Sequence, residues 1–144
     1  MKVSQIYRIA EQTDGESGLP LLPPIAAGWP SPAEDYIEDV IDLHKMLIRN
    51  PASTYMVKVS GHSMKDVGIM NDGVMLVDKS LAAKNGSNVV VSIDGELLVK
   101  KLVKRDGRVF LAPENPDFKT IEITGRDDVR IWGVVISSIT TFKE

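Results

Sequence analysis

The chain has 144 residues, room for one domain and an arm, and 43% of them are hydrophobic, enough to bury a core. Seventeen basic against twenty acidic residues leave a net charge of −3, which argues against a protein that coats nucleic acid through its own charge. There is no cysteine, which excludes disulfides, a thiolate nucleophile and cysteine zinc sites, and fits a cytoplasmic protein.

Residues 1–14 alternate polar and apolar side chains around no apolar core, so they do not read as a signal peptide. No apolar run approaches the ~20 residues that cross a bilayer, and the expectation is a soluble chain without a membrane partner. Residues 12–18 are polar with two glycines, hence loop. Residues 19–32 carry five prolines, each lacking a backbone donor and keeping its neighbour out of the helical region. This stretch should be extended, with little regular structure of its own. It holds the small, apolar run Ile25-Ala26-Ala27-Gly28-Trp29. Residues 1–40 are therefore read as an arm, and residues 41–144 as the folded body.

Asp42 is an N-cap for a short helix over residues 43–49, with Leu43, Met46 and Leu47 on one face, and Pro51 forbids its continuation. Strands follow at residues 55–59 and 74–78. Residues 88–93 and 96–104 flank Asp94-Gly95, a strong two-residue hairpin signal. Residues 109–112, 120–124 and 129–139 complete a mostly β protein, a small folded-over β-sheet body.

Ser60-Gly61-His62-Ser63-Met64 follows directly on the strand that ends at Val59. Gly61 permits a sharp turn, and residues 64–66 could start one helical turn. A serine at such a start is expected to be exposed, and the backbone N–H groups of His62 and Ser63 could hold an oxyanion. Spacing alone is also met by an ordinary strand-to-turn connection. The serine needs a base. His62 abuts Ser63, and adjacent side chains diverge. His44 lies on the short helix.

A Ser–His–Asp triad is thus open but unsupported, and a lysine can serve instead if it is neutral. In water a lysine has a pKa of about 10.4, so at pH 7 roughly one in 2,500 is neutral, and apolar burial can lower that value by ~3–5 units. Lys100 and Lys101 both sit in the apolar strand Leu97-Leu98-Val99-Lys100-Lys101-Leu102-Val103. Strand alternation gives each an apolar face, so the pattern does not choose between them. Lysines that snorkel from a strand edge would look the same.

The segment from Val59 to Ile69 resembles the serine motif of the LexA/UmuD family of self-cleaving serine–lysine proteins, and Val99-Lys100-Lys101-Leu102 resembles its lysine motif. Ala112-Pro113-Glu114-Asn115-Pro116 and Trp132-Gly133-Val134-Val135 are similar to its later strands and turns. Ala26-Ala27-Gly28-Trp29-Pro30-Ser31-Pro32 is similar to the UmuD cleavage region. The resemblance implies the fold of the LexA C-terminal domain with an extended N-terminal arm. It implies Ser63 as nucleophile, Lys100 as base, Ser60 as a support of the turn, and a scissile bond between Ala27 and Gly28. Two places depart from the family: Asp72-Gly73-Val74 where Asp-Gly-Asp is usual, and Gly86-Ser87-Asn88 where Gly-Asp and an apolar residue are usual.

The arm suits this chemistry. Prolines lower the cost of ordering an extended strand, small residues let a hydroxyl reach the Ala27 carbonyl, and tethering replaces substrate binding. Only 27 residues precede the bond, too few for a helix-turn-helix, so sequence-specific DNA binding is not expected. The resemblance implies the UmuD role in the SOS response. A RecA–single-stranded DNA filament acts as co-protease, and the shortened homodimer joins a UmuC-type subunit in an error-prone translesion polymerase. No cofactor or metal is called for. The alternative reading is a non-catalytic regulatory subunit of such a polymerase. A signal-peptidase-like enzyme would need a membrane anchor that the sequence does not offer.

Overall fold

The computed structural model describes residues 1–9, 18–21 and 39–142. They fall into two compact units, one of Met1–Ala10 with Asn50–Glu144 and one of Glu11–Arg49.

In the larger unit, β1 (Lys2–Arg8) joins a sheet otherwise built from later residues. In the smaller unit, β2 (Gly18–Leu21) pairs antiparallel with β3 (Asp39–Asp42). α1 (Leu43–Leu47) follows, with the Asp42 side chain accepting the Lys45 N–H at 3.3 Å as expected of an N-cap. The helix closes at Leu47, two residues before the expected end. The β2–β3 ladder was not expected either. Residues 18–21 include one of the prolines, and a proline is tolerated in a strand whose N–H side needs no partner.

The larger unit continues with β4 (Thr54–Ser60), β5 (Val74–Asp78), β6 (Asn88–Ile93), β7 (Glu96–Arg105), β8 (Arg108–Ala112), β9 (Ile121–Glu122) and β10 (Val129–Ile139). The sheet order is β1-β4-β5-β10-β6-β7-β8-β9, and β1 pairs again with β7 at Lys2↔Leu98. The circuit from β1 through β4, β5, β10, β6 and β7 back to β1 is therefore closed, while β8 and β9 extend the sheet beyond β7 and leave β9 at its end. Mostly β and folded over on itself, the architecture is the one the sequence pointed to, and the strands of the body lie where the apolar runs placed them. β9 alone is shorter than expected. Asp94 (φ 50°) and Gly95 (φ 79°) both take the left-handed region that a tight two-residue hairpin turn demands.

Alternation decides what each strand buries. In β6, Val90 packs with Val57, Val59, Met64, Met75, Val77 and Val99 in one apolar cluster. Its neighbours Val89 and Val91 point the other way, into a second cluster with Leu102, Leu111 and Val134. β-branched residues suit a strand that is buried on both faces.

The chief difference from the sequence reading lies at the amino terminus. Residues 2–8, placed within the arm, form the strand that closes the sheet, running antiparallel to β4 from Lys2↔Ser60 to Arg8↔Tyr55. Their side chains are mostly exposed, so β1 is held through its backbone and through Met1, which is buried in the first cluster.

Candidate functional site: a serine turn beside a buried lysine

β4 delivers the chain to Ser60, and Gly61 then turns it with φ +108°, a conformation that side chains rarely adopt. The Gly61 N–H donates to Asn71 Oδ1 at 2.8 Å. Met64 leads into a single 3-10 turn, Lys65–Val67, which ends on left-handed Gly68. Ser63 lies between them and is fully buried, while His62 points to solvent.

The loop after β8 clamps this turn. The Glu114 N–H donates to the Ser63 carbonyl at 2.6 Å, and the Asp66 N–H donates to the Glu114 carbonyl at 2.9 Å. The buried Asn115 donates its side-chain amide to the His62 carbonyl at 2.8 Å and accepts the Asp117 N–H at 3.1 Å. Carbonyl and N–H point in opposite directions across a trans peptide. Holding the His62 carbonyl toward Asn115 therefore aims the Ser63 N–H away from that loop.

β7 carries the two lysines, and the structure separates them by burial. Lys100 is only 7% exposed, lies across from Val89 of β6, and has its nitrogen 5.9 Å from the centre of the Phe118 ring. Burial lowers its pKa from the ordinary 10.5. Lys101 turns outward and pairs with Glu114 at 2.8 Å, its side chain 38% exposed.

Met1, which the sequence reading passed over, reaches the serine turn. Its amine donates to Ser63 Oγ at 2.6 Å. Its carbonyl accepts the Val99 N–H at 2.9 Å. Burial, then the charge of Lys100, lowers the amine's pKa from 8.0 to about 6. Ser63 and Lys100, 37 positions apart in the chain, are both buried. Ala27 and Gly28 lie outside the described residues. The only trace of Met1's place in the sequence is the alternation of the residues that follow it.

The sequence profile of the family described as Peptidase S24-like matches residues 20–136, which include the serine turn, β7 and the clamping loop. The chain belongs to that family. It is 44% identical over 116 residues to "Protein MucA" of Salmonella typhimurium, covering 80% of this chain and 79% of that one. It is 41% identical over 128 residues to the "LexA repressor" of Acidithiobacillus ferrooxidans, covering 86% of this chain and 62% of the repressor. Another LexA repressor, from Photorhabdus laumondii, is 39% identical over 124 residues. The LexA/UmuD kinship read from the two motifs is borne out, and as an S24 family member the chain is of the self-cleaving serine-peptidase kind.

The departures from the S24 pattern have local consequences. Ser87 Oγ accepts the Lys84 N–H at 2.9 Å and so tightens the turn before β6. Asn88 stands where the family resemblance leads one to expect an apolar residue, and its buried Oδ1 has no hydrogen-bond partner among the described residues. Gly73 keeps its family identity for a visible reason: a Cβ there would lie 2.8 Å from the Met70 carbonyl oxygen.

Proposed function

We propose that this protein cuts its own chain between Ala27 and Gly28, with Ser63 as nucleophile and Lys100 as general base. What supports the reading is a buried serine in a tight turn together with a buried lysine whose pKa is lowered by that burial, in a chain of the S24 family. Apolar burial favours the uncharged lysine that the reaction needs. Neutral Lys100 takes the Ser63 proton as Oγ attacks the Ala27 carbonyl. The N–H groups of His62 and Ser63 receive the oxyanion. Protonated Lys100 then gives its proton to the leaving amine of Gly28, and water releases the acyl-enzyme. The products are residues 1–27 and 28–144.

In this reading the shortened form is a homodimer that serves as accessory subunit to a UmuC-type translesion polymerase in the SOS response. A RecA–single-stranded DNA filament promotes the cut, and the cytoplasm is where both partners reside. Kinship with "Protein MucA" and with LexA repressors supports this assignment. Mass spectrometry of the purified protein, incubated at mildly alkaline pH, tests the chemistry. Fragments ending at Ala27 and beginning at Gly28, absent in Ser63→Ala and in Lys100→Ala, are the expected result. An intact mass throughout, even beside a RecA filament, would make the protein a non-catalytic regulatory subunit.

A further inference from the structure

The loop that clamps the serine also carries an aromatic side chain to the lysine. Pro113 and Pro116 restrict its backbone, and Asn115 shapes a turn between them and Phe118. Asn115 Oδ1 takes the Asp117 N–H at 3.1 Å, and the Asn115 carbonyl takes the Phe118 N–H at 3.1 Å. The same turn is tied to the His62 carbonyl by the Asn115 amide and to the Ser63 carbonyl by the Glu114 N–H. Phe118 therefore has a defined place, with Lys100 Nζ over its ring at 5.9 Å from the centre. The side chain is 44% exposed and joins neither apolar cluster, whereas Lys100 is 7% exposed. A phenylalanine so placed does little for the core. What it covers is the lysine.

We propose that Phe118 is a positioning residue, a lid whose ring shuts water from the Lys100 amine and so keeps the base in its reactive, uncharged form. The proposal rests on the reading of Lys100 as the base of self-cleavage and adds a residue to it. A ring acts on a lysine in two opposite ways. Its bulk displaces water, which favours the neutral amine, and its electron-rich face attracts the ammonium, which favours the charged one. Distance decides between them. At 5.9 Å the amine stands at the outer limit of about 6 Å for that attraction, while burial is the leading cause of the lysine's lowered pKa. Carboxylates do not oppose the lid. Among the described residues none pairs with Lys100: Glu114 is held by Lys101 at 2.8 Å, and Glu96 by Lys2 at 3.4 Å. Asp117 is exposed, and the Met1 amine feels the charge of Lys100. All these groups stay when Phe118 is replaced, so they cancel from a comparison of variants.

The test compares the intact chain with Phe118→Ala and Phe118→Leu by two measurements. The first follows trace acetylation of Lys100 by acetic anhydride against pH, read by mass spectrometry. It is made in chains that also carry Ser63→Ala, so that it does not depend on self-cleavage. Phe118→Ala is expected to move the pH at which Lys100 becomes reactive upward by about one unit. Phe118→Leu, apolar but without a ring face, should move it by less than about a third of a unit. The second is the pH profile of self-cleavage in chains that keep Ser63. Phe118→Ala should cut roughly tenfold more slowly near neutral pH, the equivalent of that one unit, and recover at alkaline pH, with Phe118→Leu close to wild type. An unmoved or lowered midpoint in Phe118→Ala, or an equal shift in both variants, would overturn the proposal. If the acetylation midpoint rises as expected and no form cuts, the lid on Lys100 stands and the self-cleavage reading falls.

Discussion

β7 has two unlike flanks. Along β6 it is paired without a break from Asn88↔Lys101 to Ile93↔Glu96, with Val90 and Val99 buried on one face and Val91 buried on the other. Along β1 the same stretch has one pair, Lys2↔Leu98, and one further backbone hydrogen bond. Lys100 is carried on this strand, rigid toward β6 and lightly stitched toward β1. The contrast teaches how a buried amine can be both well placed and reachable. The wall that desolvates it is core, while the seam in front of it is closed by a segment that contributes little to the core.

The sharpest way to break the contrast is to exchange the lysines' roles. Lys100→Ala should reduce self-cleavage by about a thousandfold or more, since a general base and its proton return are lost together. Lys101→Ala, which removes only a surface ion pair, should change the rate by less than about threefold. Time courses by mass spectrometry read both, and equal losses would erase the distinction between the buried and the outward lysine.

Thermodynamics should follow the two flanks as well. Val90→Ala, in the wall, is expected to cost about 2–3 kcal/mol in urea unfolding, and Ile6→Ala, on the exposed face of the seam strand, less than about 1 kcal/mol. A larger loss at Ile6 would mean that β1 is core and not closure.

Asn115 tests the clamp behind the serine. Asn115→Ala should slow self-cleavage roughly tenfold to thirtyfold by freeing the peptide that aims the Ser63 N–H. The pH midpoint set by Lys100 should not move, because the asparagine holds the turn and not the lysine. A shifted midpoint with an unaltered plateau would place its action elsewhere.

The smallest effect is on stability across pH. Burial first, and then the charge of Lys100, lowers the Met1 amine's pKa from 8.0 to about 6 on folding, so between these values the folded chain binds fewer protons than the unfolded one. Its contribution therefore improves as pH rises from 6 to 8, by about 1–2 kcal/mol after allowing for solvent screening. The wild-type chain minus the α-acetylated chain isolates this amine from every other titrating group. A flat difference would show that the amine is not buried beside Lys100.

Much of the fold was legible because strand formation is local. The Val-rich run of β6, the Asp94-Gly95 turn and the alternation of β7 announce themselves within ten residues, and β5, β6 and β10 lie where the apolar runs put them. The serine turn was legible for the same reason, as Gly61 followed by a short helical start.

Other features leave no such mark. Residues 2–8 alternate weakly and carry exposed side chains, so nothing local distinguishes a closing strand from a solvated arm. Asn115 reads as part of a proline-flanked turn, and only the approach of residues 53 positions earlier gives its amide a carbonyl to hold.

By itself, then, the chain's order of residues determined the strands, the serine turn, the absence of thiol chemistry and, through its motifs, the family. Only the tertiary structure set Lys100 and Lys101 apart in burial, because alternation gives each an apolar face and the packing of Val89, Phe118 and Glu114 around them comes from elsewhere in the chain. Only the tertiary structure set the Met1 amine against Ser63, because a contact spanning 62 positions is made by closure of the sheet and not by any local preference.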